Sequence, residues 1–360
     1  MKLKKQIQKN RIFTALATCI LLACCPIFSY AAGGPGPSIY SAALDNPAYP
    51  SDTVDAQLKK LSAGAWLMID ANTGTVLSSK NPDKKMYPAS MTKMMTCILA
   101  CESGRLDEVV TISSEAASTS YGYVKKGEKY ILHDLLYRVM LPSDNGAAHA
   151  VGQFLGNDSI TFNMMMNAKA KALHMNNTHF VNAHGLPDDD HYTTASDMMR
   201  LLKYCMKNKV FAEIVSNPTR DIKTLAGTPI HLKNTNKLFG RYEGCIGVKT
   251  GTTRAAGGCL ASAVVRNGMK IYLVIMKCEP ARERTDESIV LYNKGFEMIK
   301  MLSKNPEYNK KKKGHSRHNV VRDSEQEVPE VPVRRPKNDR MDYDNMIRHQ
   351  GEVPMMRHRN

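Results

Sequence analysis

The chain is poor in the features that staple or metallate a fold. Its nine cysteines form no CxxC pair and no zinc-ligand spacing, so no metal centre and no cofactor is expected. Cys19, Cys24 and Cys25 lie in an N-terminal apolar run. Cys97, Cys101, Cys205, Cys245, Cys259 and Cys278 are sparse and sit among apolar neighbours, which fits buried free thiols better than a disulfide framework. Internal repeats are absent. From residue 304 onward only Tyr308 and Tyr343 are aromatic, and KKKK with scattered prolines takes the place of apolar residues. Such a segment cannot bury enough area to offset its ordering entropy, so 304–360 reads as a basic, disordered tail. It also lacks a sustained amphipathic stripe for membrane binding. Acidic residues are in short supply: the net charge is +16, with 14 basic against 9 acidic residues from 301 onward and five more cations at Lys2, Lys4, Lys5, Lys9 and Arg11. Little of that excess is left for the folded part, and nucleic acid is not an expected partner.

What is present begins with a targeting segment. Those five cations precede IFTALATCILLACCPIF, and Ser29-Tyr30-Ala31 then offers small residues for cleavage. Residues 1–31 read as a signal peptide; an uncleaved anchor and a lipoprotein-type signal at Leu21-Leu22-Ala23-Cys24 are the alternatives. The expected location is therefore outside the cytoplasm, in the periplasm, the cell wall or the outer face of the cytoplasmic membrane. There a basic tail meets lipid headgroups and wall polymers, both polyanionic.

A linker-like lead-in over 32–60 precedes one domain over 61–303. Gly64–Asp70, read as a buried strand, and Thr75–Ser79, separated by Asn72, Thr73 and Gly74, predict a hairpin. From Pro88 the pattern turns helical, with Met91, Met94, Met95, Ile98 and Leu99 on one stripe until Gly104. Helical patterns follow near 131–140, 146–155, 160–173 and 195–206. Strand character returns at 247–250, 258–265 and 270–276, and a last helix spans 285–302. Two strands, an all-helical insert, three strands and a closing helix imply an α/β (α+β) fold, with one antiparallel sheet assembled from both ends of the domain and covered by helices.

Three short constellations carry chemistry. Ser90 and Lys93 stand three apart at a helix start, on one face, so hydroxyl and amine can meet. A serine becomes a nucleophile only when a base takes its proton, and a lysine is that base only if burial or nearby cations lower its pKa. By itself the spacing also suits a core helix whose lysine snorkels to water. Leu141-Pro142-Ser143-Asp144-Asn145-Gly146 places hydroxyl and amide two apart in a turn before an Ala-rich helix, a pattern that equally makes a helix cap. Gly247-Val248-Lys249-Thr250-Gly251-Thr252 is a strand carrying a cation and a hydroxyl, followed by a glycine that admits a ligand to the backbone.

In this order the three resemble SxxK, SxN and KTG, the signature of the penicillin-recognising serine enzymes of the DD-peptidase/β-lactamase superfamily. With Tyr87–Lys93, Asn182-Ala183-His184-Gly185-Leu186 and His191–Met198, the chain most resembles the serine-type D-alanyl-D-alanine carboxypeptidases among low-molecular-weight penicillin-binding proteins. The resemblance implies Ser90 as acylated nucleophile, Lys93 as its base and Ser143 as proton relay. It implies Asn145, Lys249, Thr250 and Thr252 as substrate contacts, and backbone N–H groups of Ser90 and Thr252 as an oxyanion hole. Arg284, in Arg284-x-x-Glu287-Ser288 with Gly295-Phe296 downstream, is expected against the substrate carboxylate. Partners so implied are peptidoglycan stem peptides and, as covalent inhibitors, β-lactams. A β-lactamase, a peptidoglycan endopeptidase or a non-hydrolytic penicillin sensor are the other readings; no Glu-x-x-Leu-Asn segment of the class A β-lactamase kind is present. His184 and His191 read as loop scaffolding. Gly146 departs from the acidic residue many relatives carry after SxN.

Overall fold

The computed structural model describes residues 56–312; the signal-peptide reading and most of the lead-in and tail lie outside the described residues. After a single helical turn, α1 (Ala56–Lys59), the first strands are β1 (Ala65–Asp70) and β2 (Val76–Lys80). Every residue of β1 is buried, the mark of an inner strand covered on both faces. In the turn to β2 the Asp70 carboxylate accepts the Asn72 N–H at 2.9 Å and the Thr73 hydroxyl at 2.6 Å, with Gly74 in the left-handed region.

The chain then leaves the sheet for α2 (Lys93–Cys101), β3 (Val109–Thr111), α3 (Ser114–Ser118), β4 (Lys129–Ile131), α4 (Leu132–Met140), α5 (Asn145–Gly156), α6 (Ser159–Ala172), α7 (Ala195–Cys205), α8 (Lys209–Val215), β5 (Thr219–Lys223) and β6 (Pro229–Lys233). It returns as β7 (Cys245–Thr253), β8 (Gly257–Arg266) and β9 (Met269–Cys278), then closes with α9 (Glu283–Leu302). The five-stranded antiparallel sheet has the order β2-β1-β9-β8-β7, so its two ends of chain meet where Leu67 pairs with Val274. Alternation splits the sheet's side chains. Ala65, Leu67, Ile69, Val274 and Met276 join the core of the insert, whereas Met68 and Ile271 face Gly295 of α9, where even a Cβ would come within 2.9 Å of the Met68 sulfur. Glu287 of α9 accepts the backbone N–H groups of Ser62 and Ala63 at 2.5 and 3.1 Å, sewing the start of the domain to its last helix.

Two expectations need correction. The insert is not all helical: β3–β4 and β5–β6 form two small antiparallel pairs. Strands of three residues are too short to show a period, and β5 with β6 buries only Ile222 and Leu232 fully on its covered face. The tail expected to lack structure from 304 starts with helix at 306–312, where the Asn305 side chain accepts the Glu307 N–H at 2.9 Å and Pro306 occupies the first helical position.

Candidate active site

Ser90 lies in a 3₁₀ turn, Ala89–Thr92, that leads directly into α2. The helix predicted from Pro88 therefore opens as a tighter turn, with Ala89 at φ +47°. Its geometry is fixed from outside. Gly185 presses on the turn so closely that a Cβ there would lie 1.9 Å from the Ala89 carbonyl oxygen. Thr92 Oγ1 donates to Ala89 O at 2.9 Å and meets His191 Nε2 at 2.8 Å. Because His191 Nδ1 accepts the Val181 N–H at 3.2 Å, the ring proton sits on Nε2 and the bond runs from imidazole to threonine. Burial holds His191 at about 4, well below an ordinary histidine, so this brace stays neutral.

The Lys93 side chain is 0% exposed. Its Nζ is 3.0 Å from Ser90 Oγ, 2.6 Å from Asn145 Oδ1 and 2.8 Å from His184 O. Two of these partners are carbonyl oxygens that can only accept. The Asn145 orientation is set by its Nδ2, which donates to Ser120 O at 2.7 Å. A neutral amine fits this ring of partners: two N–H bonds go to the carbonyls and the lone pair faces the one neighbour that can donate, the Ser90 hydroxyl. Burial pushes Lys93 down to about 7, against the opposing pull of Asp144, a bias of about 5 kcal/mol away from the charged form. His184 supplies its carbonyl because Asn182 Oδ1 accepts the N–H groups of His184 and Gly185 at 3.2 and 2.7 Å, folding that loop tightly.

Asp144 caps α5, accepting the Ala147 N–H at 3.0 Å and the Tyr123 N–H at 3.1 Å, while its other oxygen pairs with Arg138 Nε at 2.7 Å in a buried ion pair. Ser143 precedes it at φ +67°. The structure ties Ser143 to the cluster through the chain, two residues before Asn145, and records no hydrogen bond from its hydroxyl to a described residue.

The far wall is β7. Gly251 sits tightly against the turn that carries Ser90: a Cβ there would lie 3.0 Å from Ser90 N and from Pro88 O, so any side chain would press on that turn. Lys249 is fully buried and donates to Thr250 O at 3.0 Å. Burial, then Lys93, then Arg284 depress its pKa well below the lysine norm. Thr250 Oγ1 is 2.6 Å from Thr235 Oγ1. Arg284, at the start of α9, donates to Gly251 O at 3.2 Å and to Thr252 Oγ1. Lys249 and Arg284 share this wall, and neither forms an ion pair with a carboxylate among the described residues, which suits the cleft to an anion. Three contributors are not marked by their residue type: the carbonyls of Ser120 and His184, and Thr235. The loop around His184 is visible in the sequence as Asn182–Leu186; Ser120 and Thr235 carry no such signal.

A serine hydroxyl on a buried, neutralised lysine, beside a cationic strand edge, defines a serine acyl-transfer enzyme with an amine as base. The chain belongs to the peptidase S11 family of D-alanyl-D-alanine carboxypeptidases, which matches residues 52–279. It is 32% identical over 229 residues to the D-alanyl-D-alanine carboxypeptidase DacF of Bacillus subtilis, covering 62% of this chain and spanning 59% of that relative's length. A D-alanyl-D-alanine endopeptidase of Pseudomonas aeruginosa is 34% identical over 227 residues, 61% of this chain and 72% of its own. The crystal structure of the Streptomyces K15 DD-transpeptidase superposes with a TM-score of 0.63 at 30% identity, covering 66% of this chain and 97% of that one.

Proposed function

We propose that the protein is a serine D-Ala-D-Ala carboxypeptidase that removes the terminal D-alanine from peptidoglycan stem pentapeptides. The observation that carries this reading is the 3.0 Å contact between Ser90 Oγ and the buried Lys93 amine. The stem's terminal carboxylate docks against Lys249, Thr250 and Arg284. Lys93 Nζ takes the Ser90 proton as Oγ attacks the penultimate carbonyl, whose oxygen gathers charge toward the backbone N–H groups of Ser90 and Thr252; each such donor contributes about 3 kcal/mol. Ser143 passes a proton to the leaving D-alanine nitrogen, and water then hydrolyses the acyl-enzyme. β-Lactams acylate the same hydroxyl. The N-terminal segment supports action outside the cytoplasm, and the basic tail supports contact with wall or membrane polyanions.

The P. aeruginosa relative makes cleavage of cross-links the second reading. Incubation with a D-Ala-D-Ala peptide and with a cross-linked dimer, beside fluorescent penicillin, tests both. Release of D-alanine with labelling, both lost in Ser90→Ala, is expected. Cleavage of the dimer alone supports the endopeptidase, and labelling without release a sensor.

A further inference from the structure

The loop that is tied to Asn145 carries two tyrosines whose rings lie largely in solvent. Tyr121 and Tyr123 are 76% and 62% exposed, and neither phenol hydrogen-bonds to a described residue. A lone exposed aromatic is ordinary; two on either side of one glycine, on a loop locked to the catalytic wall, is not. The locking is done by backbone. Ser120 O receives Asn145 Nδ2 at 2.7 Å, Tyr121 O receives Asn145 N–H at 3.3 Å, and Tyr123 N–H reaches Asp144 Oδ1 at 3.1 Å. Gly122 lies so near α5 that a Cβ would be 2.8 Å from Gly146 N. Tyr121 itself adopts φ +59°, a left-handed conformation costly for a bulky residue. Its ring is not buried, so side-chain packing does not repay that cost.

The direction of the substrate follows from the two walls. With its carboxylate among Lys249, Thr250 and Arg284 and its scissile carbonyl at Ser90, the rest of the stem leaves on the side of Asn145, hence over the loop 119–123. We propose that Tyr121 and Tyr123 form an aromatic rim that packs against a long aliphatic side chain on the residue preceding the D-Ala-D-Ala pair, and so favour stems that carry one. This rests on the carboxypeptidase reading. The chemistry suits it: tyrosine faces offer a large, rigid apolar surface whose hydroxyl edge stays wet, suited to a side chain half in water.

The test compares two peptides, acetyl-Ala-D-Ala-D-Ala and diacetyl-Lys-D-Ala-D-Ala, on the full chain. The expected kcat/KM ratio favours the lysyl peptide about tenfold, as half-burial of a four-carbon chain implies. The variant Tyr121→Asn/Tyr123→Ser is expected to bring the ratio within twofold, chiefly through KM. Asparagine accepts the left-handed backbone, and penicillin labelling of Ser90 checks that the variant is folded. Equal turnover of both peptides by the unaltered protein, or a ratio that survives the double substitution, overturns the rim alone. No release from either peptide despite labelling overturns the carboxypeptidase reading and the rim with it.

Discussion

Asn145 Oδ1 lies 2.6 Å from Lys93 Nζ while the same side chain's nitrogen donates to Ser120 O at 2.7 Å, so one amide joins the buried amine to the loop at 119–123. It is a neutral acceptor, and that neutrality matters. A carboxylate at the same distance would hold the amine charged.

Asn145→Asp is therefore expected to raise the Lys93 pKa by two units or more, leaving about one amine in a hundred neutral at pH 7. Acylation by penicillin should fall about fiftyfold at pH 7 and recover as the pH approaches 9. Stopped-flow acylation rates across that range would show it; a loss that ignores pH would mean the substitution acts through shape.

The unaltered protein has its own pH signature. With Lys93 near 7, the acylation rate should climb about tenfold from pH 6 to pH 8 as the amine loses its proton. His184 and His191 do not mimic this, since burial holds them at about 3 and about 4. The same shift bears on stability. Between about 7 and the unfolded value near 10.5 the folded state binds fewer protons than the unfolded one, so this group's contribution makes the protein more stable as pH rises through that window. Chemical denaturation at pH 7 and pH 9 measures it.

The surroundings of Gly146 leave no room for the acidic residue expected after SxN. A Cβ there would stand 2.6 Å from Ala116 O and 2.7 Å from Val124 Cγ2. Installing the acidic residue, Gly146→Asp, should cost about 2–3 kcal/mol by overpacking and lower Tm by about 5–10 °C. A calorimetric scan showing no loss would mean that α3 and the loop at Val124 shift freely.

Arg138→Met removes one half of the buried pair with Asp144. The carboxylate left behind keeps the Ala147 and Tyr123 N–H bonds but loses its counterion. An expected loss of about 3–5 kcal/mol, read as a shifted urea midpoint, should accompany slower turnover, because Asp144 orients Asn145.

Much of this was legible from residues alone. The apolar strands from 258 and 270, the hairpin before Pro88, and the order of helix and strand signals give the sheet and its closure from both ends of the domain. Ser90 and Lys93 meet because one helical turn separates them, a spacing that any reader can count. What could not be read is contributed by backbone atoms. The carbonyls of His184 and Ser120 belong to no residue type, the left-handed turns at Ala89 and Tyr121 carry no glycine to announce them, and the strands β3 to β6 are too short or too polar for periodicity. The Ser143 hydroxyl, chosen from its motif, is placed beside the cluster by the chain alone.

The pairing of β1 with β9 has a consequence for how the molecule comes into being. Ala65 finds its neighbour Met276 only after more than 200 further residues have been made, and closing so long a loop is slow. A ribosome that has polymerised Ser90 and Lys93 has produced neither the strand that buries them nor the sheet that carries that strand. Until the final third of the chain emerges the amine keeps its proton and the hydroxyl stays inert, so a half-made chain carries both residues without their reactivity.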